Sequence, residues 1–191
     1  MTDTISRLIQ ASIDTKQALL QDAALLGKVQ QATEWISDAF KSGHRVWFCG
    51  NGGSAADAQH LAAEFSGRFY KDRKALPSDA LHCNSSYLTA VANDYSYEEV
   101  YARLVRGLAG SGDILVGMST SGNSPNVLKA LEAAREVGSR SIALTGQGGG
   151  RMKDVCDLLL DIPSRDTPRI QEAHMLIGHI ICQLVEQTLF P

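Results

Sequence analysis

The sequence predicts an α/β fold in which helices sandwich a parallel sheet, with further helices at both ends of the chain. Three observations carry that expectation. Five short β-rich runs recur through the middle of the chain, separated by stretches with helical spacing. Alternation of this kind builds parallel strands joined by crossover helices. The first 42 residues and the last 20 or so keep apolar side chains at helical intervals instead.

Taken in order, residues 1–42 place Ile5, Leu8 and Ile9, then Val29, Ala32, Ile36, Ala39 and Phe40, on helical faces. No Gly or Pro occurs before Gly27, and two helices are expected to end near Ser42-Gly43. The expected strands are RVWFC (45–49), DALHC (79–83), DILVGM (113–118), SIALTG (141–146) and DLLLDI (157–162). Arg169 to Leu189 reads as one long helix, apolar around much of its circumference through Ile170, Ile177, Ile180, Ile181, Leu184 and Val185. A helix apolar on more than one face needs more than one partner, so this layer is expected also to form a subunit interface. The chain is expected to be a single domain over 1–191: N-terminal helices (1–42), an α/β core (43–165) and a C-terminal helix (166–191).

Composition narrows the function classes. With 44% hydrophobic and 20% charged residues, the chain is ordinary for a globular protein. A net charge of −3 without runs of Lys or Arg offers no nucleic-acid footprint and no membrane-surface patch. The start MTDTISRLIQASID lacks the basic opening and unbroken apolar core of a signal peptide. Cys49, Cys83, Cys156 and Cys182 show no CxxC spacing, which argues against a zinc knuckle or a disulfide framework. A reduced, cytoplasmic setting is expected.

Ligands of an open parallel sheet collect at the carboxyl ends of its strands, and the suspicious residues fall there. After DILVGM come Ser119, Thr120, Ser121, Gly122 and Ser124, then Pro125 and a helical stretch. Pro125 suits the first helical position and Ser124 the N-cap. Hydroxyls around a helix N-terminus, with Gly122 allowing close backbone approach, make a phosphate cradle; a Ser-rich turn without ligand is the plainer reading. GNGGSA, Gly50 to Ala55, fits G-x-G-x-x-A. The dinucleotide fingerprint also wants an acidic residue at the end of the next strand, and His82-Cys83-Asn84 supplies none. No Lys follows the glycines, so it is no Walker A loop either. What remains is a strand–loop–helix element able to hold polar substrate groups on backbone N–H.

His60 and Glu64, at i and i+4, share a helical face and could reach one ion or one substrate, although such pairs are also common on exposed helices. On the last helix Gln171, His174 and His179 are further candidates, and spacing does not choose between the two histidines. A histidine in so apolar a helix is more often packed in the core. Asn93-Asp94 could hold sugar hydroxyls or form a plain turn. Gly148–Gly150 reads as a structural loop with a nest of N–H groups.

CGNGGSAADAQHLAAEFSGR, LTAVANDY, STSGNS and RIQEAHMLIGHI together resemble the phosphoheptose isomerases of the SIS (sugar isomerase) superfamily, in order over essentially the whole chain. The resemblance implies a flavodoxin-like five-stranded parallel sheet and a homotetramer with active sites between subunits. It implies conversion of sedoheptulose 7-phosphate to D-glycero-D-manno-heptose 7-phosphate, the first step toward nucleotide-activated heptose for lipopolysaccharide or another glycoconjugate. By resemblance the metal ligands are His60, Glu64, Gln171 and His179, with zinc the usual occupant, and the catalytic pair is Glu64 and His179. The implied substrate-binding residues are Asn51, Gly52, Gly53, Glu64, Asn93, Asp94, Ser119, Thr120, Ser121, Ser124 and Gln171. The alternative is a non-catalytic SIS module of the kind that binds the replication initiator. Those proteins resemble this chain around TAVAND and the terminal TLF but lack counterparts of Glu64 and His179.

Overall fold

A computed structural model describes residues 1–191. Two helices, α1 (Thr2–Gln21) and α2 (Ala23–Lys41), precede β1 (Val46–Gly50), α3 (Gly53–Ser66), β2 (Ser78–Ala80) and α4 (Ser85–Asp94). A 3-10 turn (Tyr97–Glu99) leads into α5 (Val100–Leu108), β3 (Ile114–Ser119), α6 (Pro125–Glu136) and β4 (Arg140–Thr145). A second 3-10 turn (Gly150–Asp154), β5 (Leu158–Asp161) and α7 (Thr167–Leu189) complete the chain. All five strands are parallel, in the order β2-β1-β3-β4-β5.

Strand alternation divides the core in two. Val46, Phe48, Ile114, Val116, Met118, Ile142 and Leu144 point to one face and pack under α2, α3 and α7. Trp47, Cys49, Leu115 and Ala143 point to the other, under α5 and α6. Each large side chain buried this way contributes roughly 1.5–3 kcal/mol.

The expected elements are present, with three differences. The first helix break lies at Asp22, whose carboxylate accepts the Leu25 N–H at 2.9 Å, while Gly27 rides inside α2. The second strand is short. Pairing stops after Ala80 except for one bond from Leu81 N–H to the Phe48 carbonyl, and Asn84 then caps α4 by accepting the Tyr87 N–H. Ser124 does occupy the N-cap of α6, but its hydroxyl makes no capping bond and meets Ser119 Oγ at 2.9 Å instead.

His174 is a core residue. It is fully buried, and its Nε2–H donates to the Thr145 carbonyl at 3.1 Å. Burial lowers its pKa from 6.5 to about 4, with the Thr145 bond pulling weakly the other way. The folded state therefore refuses a proton that the unfolded chain accepts, so stability falls as pH drops from about 6.5 toward 4, by an amount on the order of 3 kcal/mol. Denaturant unfolding of wild type and His174→Leu between pH 7 and 4 checks this: the variant should show the shallower decline.

Candidate active site

The order β2-β1-β3 makes β1 and β3 the switch point, where the chain turns to opposite sides of the sheet. The crevice beyond their carboxyl ends is where this architecture binds ligands. The loop Asn51–Gly52 leaves β1, and the loop Thr120–Ser124 leaves β3.

The second loop is held from below. Gly122 has φ 66°, and a Cβ there would overlap the Gly149 carbonyl. Gly146 N–H donates to the Thr120 carbonyl at 3.0 Å, Met152 N–H to the Gly122 carbonyl at 3.0 Å, and Arg151 N–H to Asn123 Oδ1 at 3.0 Å. The glycine run 148–150 is thus the floor of the serine loop. Ser119 Oγ lies 2.9 Å from Ser124 Oγ and 3.4 Å from Ser121 Oγ, so three hydroxyls converge at the start of α6. Pro125 brings no N–H to the first turn of that helix and the Val127 N–H is held by Asn126 Oδ1 at 3.0 Å, so the Asn126 N–H is the first-turn donor left at that end. An anion fits there by hydrogen bonding and by the helix dipole.

A second group of side chains gathers between α3 and α7. His60 Nε2 stands 3.0 Å from His179 Nε2 and 3.1 Å from Glu64 Oε1. Ligand atoms of all three residues lie within 4.8 Å of one another. The helices come this close because residue 178 is glycine: a Cβ there would overlap the Leu61 side chain. Two imidazole nitrogens and a carboxylate oxygen at these separations suit a small cation such as zinc, whose ligands stand about 2 Å from the ion, and three protein ligands leave a position open. The residues present fit such an ion.

Below this cluster the two helices are locked by a buried ion pair. Arg73 and Glu186 have side chains only 3% exposed, and Arg73 Nε donates to Glu186 Oε1 at 3.0 Å. The same carboxylate accepts the N–H groups of Phe69, Tyr70 and Lys71 at 3.3, 2.9 and 2.9 Å. Arg73 also donates to the carbonyls of Glu64 and Phe65, each at 2.8 Å, closing the end of α3. Burial pushes the Glu186 carboxyl up, yet its donors more than offset this and leave it below the usual carboxylate range. Phe69, fixed by this network, lays its ring 5.7 Å from that of His179. One turn before His60, Asp57 buries Oδ2 without a partner; burial raises its pKa and the His60 charge lowers it.

Three expected site residues stand elsewhere. The Gln171 amide lies against Gly53, at the start of α3 beside the cradle, rather than beside His60. His60 is seven residues further along α3, and His179 eight residues further along α7, so about 10–12 Å of helix separates Gln171 from the cluster. Side chains on a helix lean alike toward its N-terminus, which preserves that gap. Within one chain, therefore, three of the four expected ligands meet and Gln171 does not. Asn93 and Asp94 end α4 exposed, with Asn93 Nδ2 donating to Asp94 Oδ1 at 3.0 Å. Three residues further on, the Tyr97 hydroxyl reaches the crevice and donates to Asn51 Oδ1 at 3.1 Å. Sequence reasoning missed Tyr97, Asn126, Arg73 and Glu186, because their partners lie 46 to 113 residues away and no local pattern marks them.

Comparison with known proteins agrees with this geometry. The SIS domain family matches residues 7–146. The phosphoheptose isomerase of Clostridium acetobutylicum is 48% identical, over 100% of this chain and 97% of its own length. The chain belongs to the phosphoheptose isomerases of the SIS domain family. The phosphoheptose isomerase of Citrifermentans bemidjiense is 55% identical over 85% of this chain and 84% of its own. Among solved structures, the phosphoheptose isomerase of Neisseria gonorrhoeae superposes with a TM-score of 0.92 at 40% identity, covering 97% of this chain and 98% of that one. No helix of this SIS protein is long and apolar enough to cross a membrane.

Proposed function

We propose that this chain is a sugar phosphate isomerase converting sedoheptulose 7-phosphate to D-glycero-D-manno-heptose 7-phosphate through an enediol(ate), the first step toward nucleotide-activated heptose. The observation that carries the reading is the meeting of Glu64 with two imidazoles on a scaffold that also builds a phosphate cradle. Full-length likeness to phosphoheptose isomerases supplies the substrate, and it does not favour the non-catalytic binding module.

The chemistry moves a proton from C1 of the ketose to C2. Glu64 takes that proton as general base and returns it to the neighbouring carbon; His179 carries protons between O1 and O2. Phosphate sits on Ser119, Thr120, Ser121 and Ser124. Sugar hydroxyls meet the N–H groups of residues 51–53 and the side chains of Asn93 and Asp94. Zinc held by His60, Glu64 and His179 would supply Lewis acidity toward the carbonyl, and Glu64 and His179 would act as base and shuttle only while released from it.

In one chain the cluster lies about two helical turns along α3 from Gly53 and Gln171, at the loop that leaves β1. We therefore assign each active site to two copies, one giving the cradle with Gln171 and the other His60, Glu64 and His179, in a homotetramer. Gln171 then completes the ligand set from the neighbouring copy. The exposed apolar stripe of α1, where Ile5, Leu8, Ile9 and Ile13 are each more than half exposed, offers surface for such packing. Mixed tetramers carrying Glu64→Gln in some subunits and a cradle lesion in others should regain activity that neither variant has alone. Mixtures that stay inactive would place each site within one subunit.

Incubation with sedoheptulose 7-phosphate tests the reaction directly. Aldose should form, cease with a chelator and resume with added zinc. Turnover indifferent to chelator would leave the work to Glu64 and His179 without metal, and no turnover in any condition would overturn the isomerase. Ser121→Ala should raise KM with little change in kcat, because anchoring a remote phosphate is mostly uniform binding. Steady-state kinetics showing only a kcat defect would contradict the cradle.

A further inference from the structure

We infer that Asn126 is a positioning residue for the isomerisation, acting through Asn51 to fix the distance between the two substrate loops. This rests on the isomerase reading above. The loops leave β1 and β3 on opposite sides of the switch point, and backbone pairing between those strands ends at Gly50 and Met118. Beyond that point something else must set the gap.

Asn126, in the first turn of α6, is 2% exposed, and its amide meets that of Asn51 head to head. Asn51 Nδ2 donates to Asn126 Oδ1 at 2.8 Å, and Asn126 Nδ2 donates to Asn51 Oδ1 at 2.8 Å. Tyr97 donates a third bond to Asn51 Oδ1 at 3.1 Å, and the Val127 N–H donates to Asn126 Oδ1 at 3.0 Å. Each amide oxygen then holds two donors, which is the capacity of its lone pairs. Turning either amide over sets N–H against N–H and oxygen against oxygen, so the pair has one bonded arrangement and acts as a strut of one length. The Asn51 side chain is thereby committed to Asn126 and Tyr97. Its residue's part in sugar binding falls to backbone N–H groups that the strut aims.

Placement of this kind matters because the phosphate and the reacting carbons lie at opposite ends of the substrate. A displacement of about 1 Å at one end can cost on the order of a hundredfold in rate. A strut predicts a pattern that a simple ligand does not.

The test is a double-mutant cycle on Asn51→Ala and Asn126→Ala, read as kcat/KM for sedoheptulose 7-phosphate, with inorganic phosphate as competitive inhibitor. Each single variant should lose about tenfold or more, and the double variant no more than the worse single one. The inhibition constant for phosphate should stay within about twofold in Asn51→Ala, whose change lies on the other loop and leaves the start of α6 intact; a general loss of fold would move both. Tyr97→Phe, an exposed and conservative change, should lose activity in the same direction by a smaller factor. Losses that multiply in the double variant would overturn the strut and make Asn51 an independent ligand, while wild-type turnover keeps the isomerase. A wild type that neither turns over nor is inhibited by phosphate would overturn the isomerase reading and the strut with it.

Discussion

Glu64→Gln should lower turnover at least about a hundredfold while leaving the fold and the melting temperature close to wild type. Glu64 lies on the open side of α3, its side chain 22% exposed, and it pairs with His60 Nε2 at 3.1 Å. Glutamine has the same shape and can still accept that bond, so packing is preserved. What it lacks is a carboxylate able to take a proton from carbon, and general base catalysis contributes about 10²–10⁴ in rate. Because the same carboxylate is a candidate ligand, the assay needs a zinc titration. A defect that persists at saturating zinc identifies the base, and activity restored by excess zinc would reduce Glu64 to a ligand. Near-normal turnover without added metal would sink the assignment outright.

The second large effect is on stability. Glu186→Ala should cost about 3–5 kcal/mol, since it leaves a buried guanidinium without its partner. Three backbone N–H groups of the loop after α3 lose their acceptor as well. For a chain of 191 residues, at about 2–4 °C per kcal/mol, the melting temperature should fall by roughly 6–20 °C, read by circular dichroism. A melting temperature within about 2 °C of wild type would show that water replaces the carboxylate. The native carboxyl is held below the usual 4.5, so its stabilisation is present above that value and is lost as pH falls through the folded one. Acid should thus weaken the lock at Glu186 and the core around His174 in adjoining ranges, the histidine first.

The sequence alone determined the architecture. Five apolar runs with helical stretches between them could bury both faces only as parallel strands under two helical layers, and they do. It also marked the cradle, because hydroxyl residues, a glycine and a proline fall within seven positions at the end of a strand. His60 and Glu64 were legible as a pair because one helical turn brings i and i+4 together. Spacing left His174 and His179 as equals. Packing separated them, burying the first beneath Thr145 and setting the second 3.0 Å from His60. Only the tertiary structure placed Gln171 beside Gly53, two turns from His60, Glu64 and His179, and paired Asn51 with Asn126 and Arg73 with Glu186. The physical reason is the range of the interaction. Periodicity and capping act within a turn or two and are written in neighbouring letters, whereas these contacts join residues 75 to 118 positions apart. Such contacts exist only once the sheet has brought its loops, and α3 and α7, side by side.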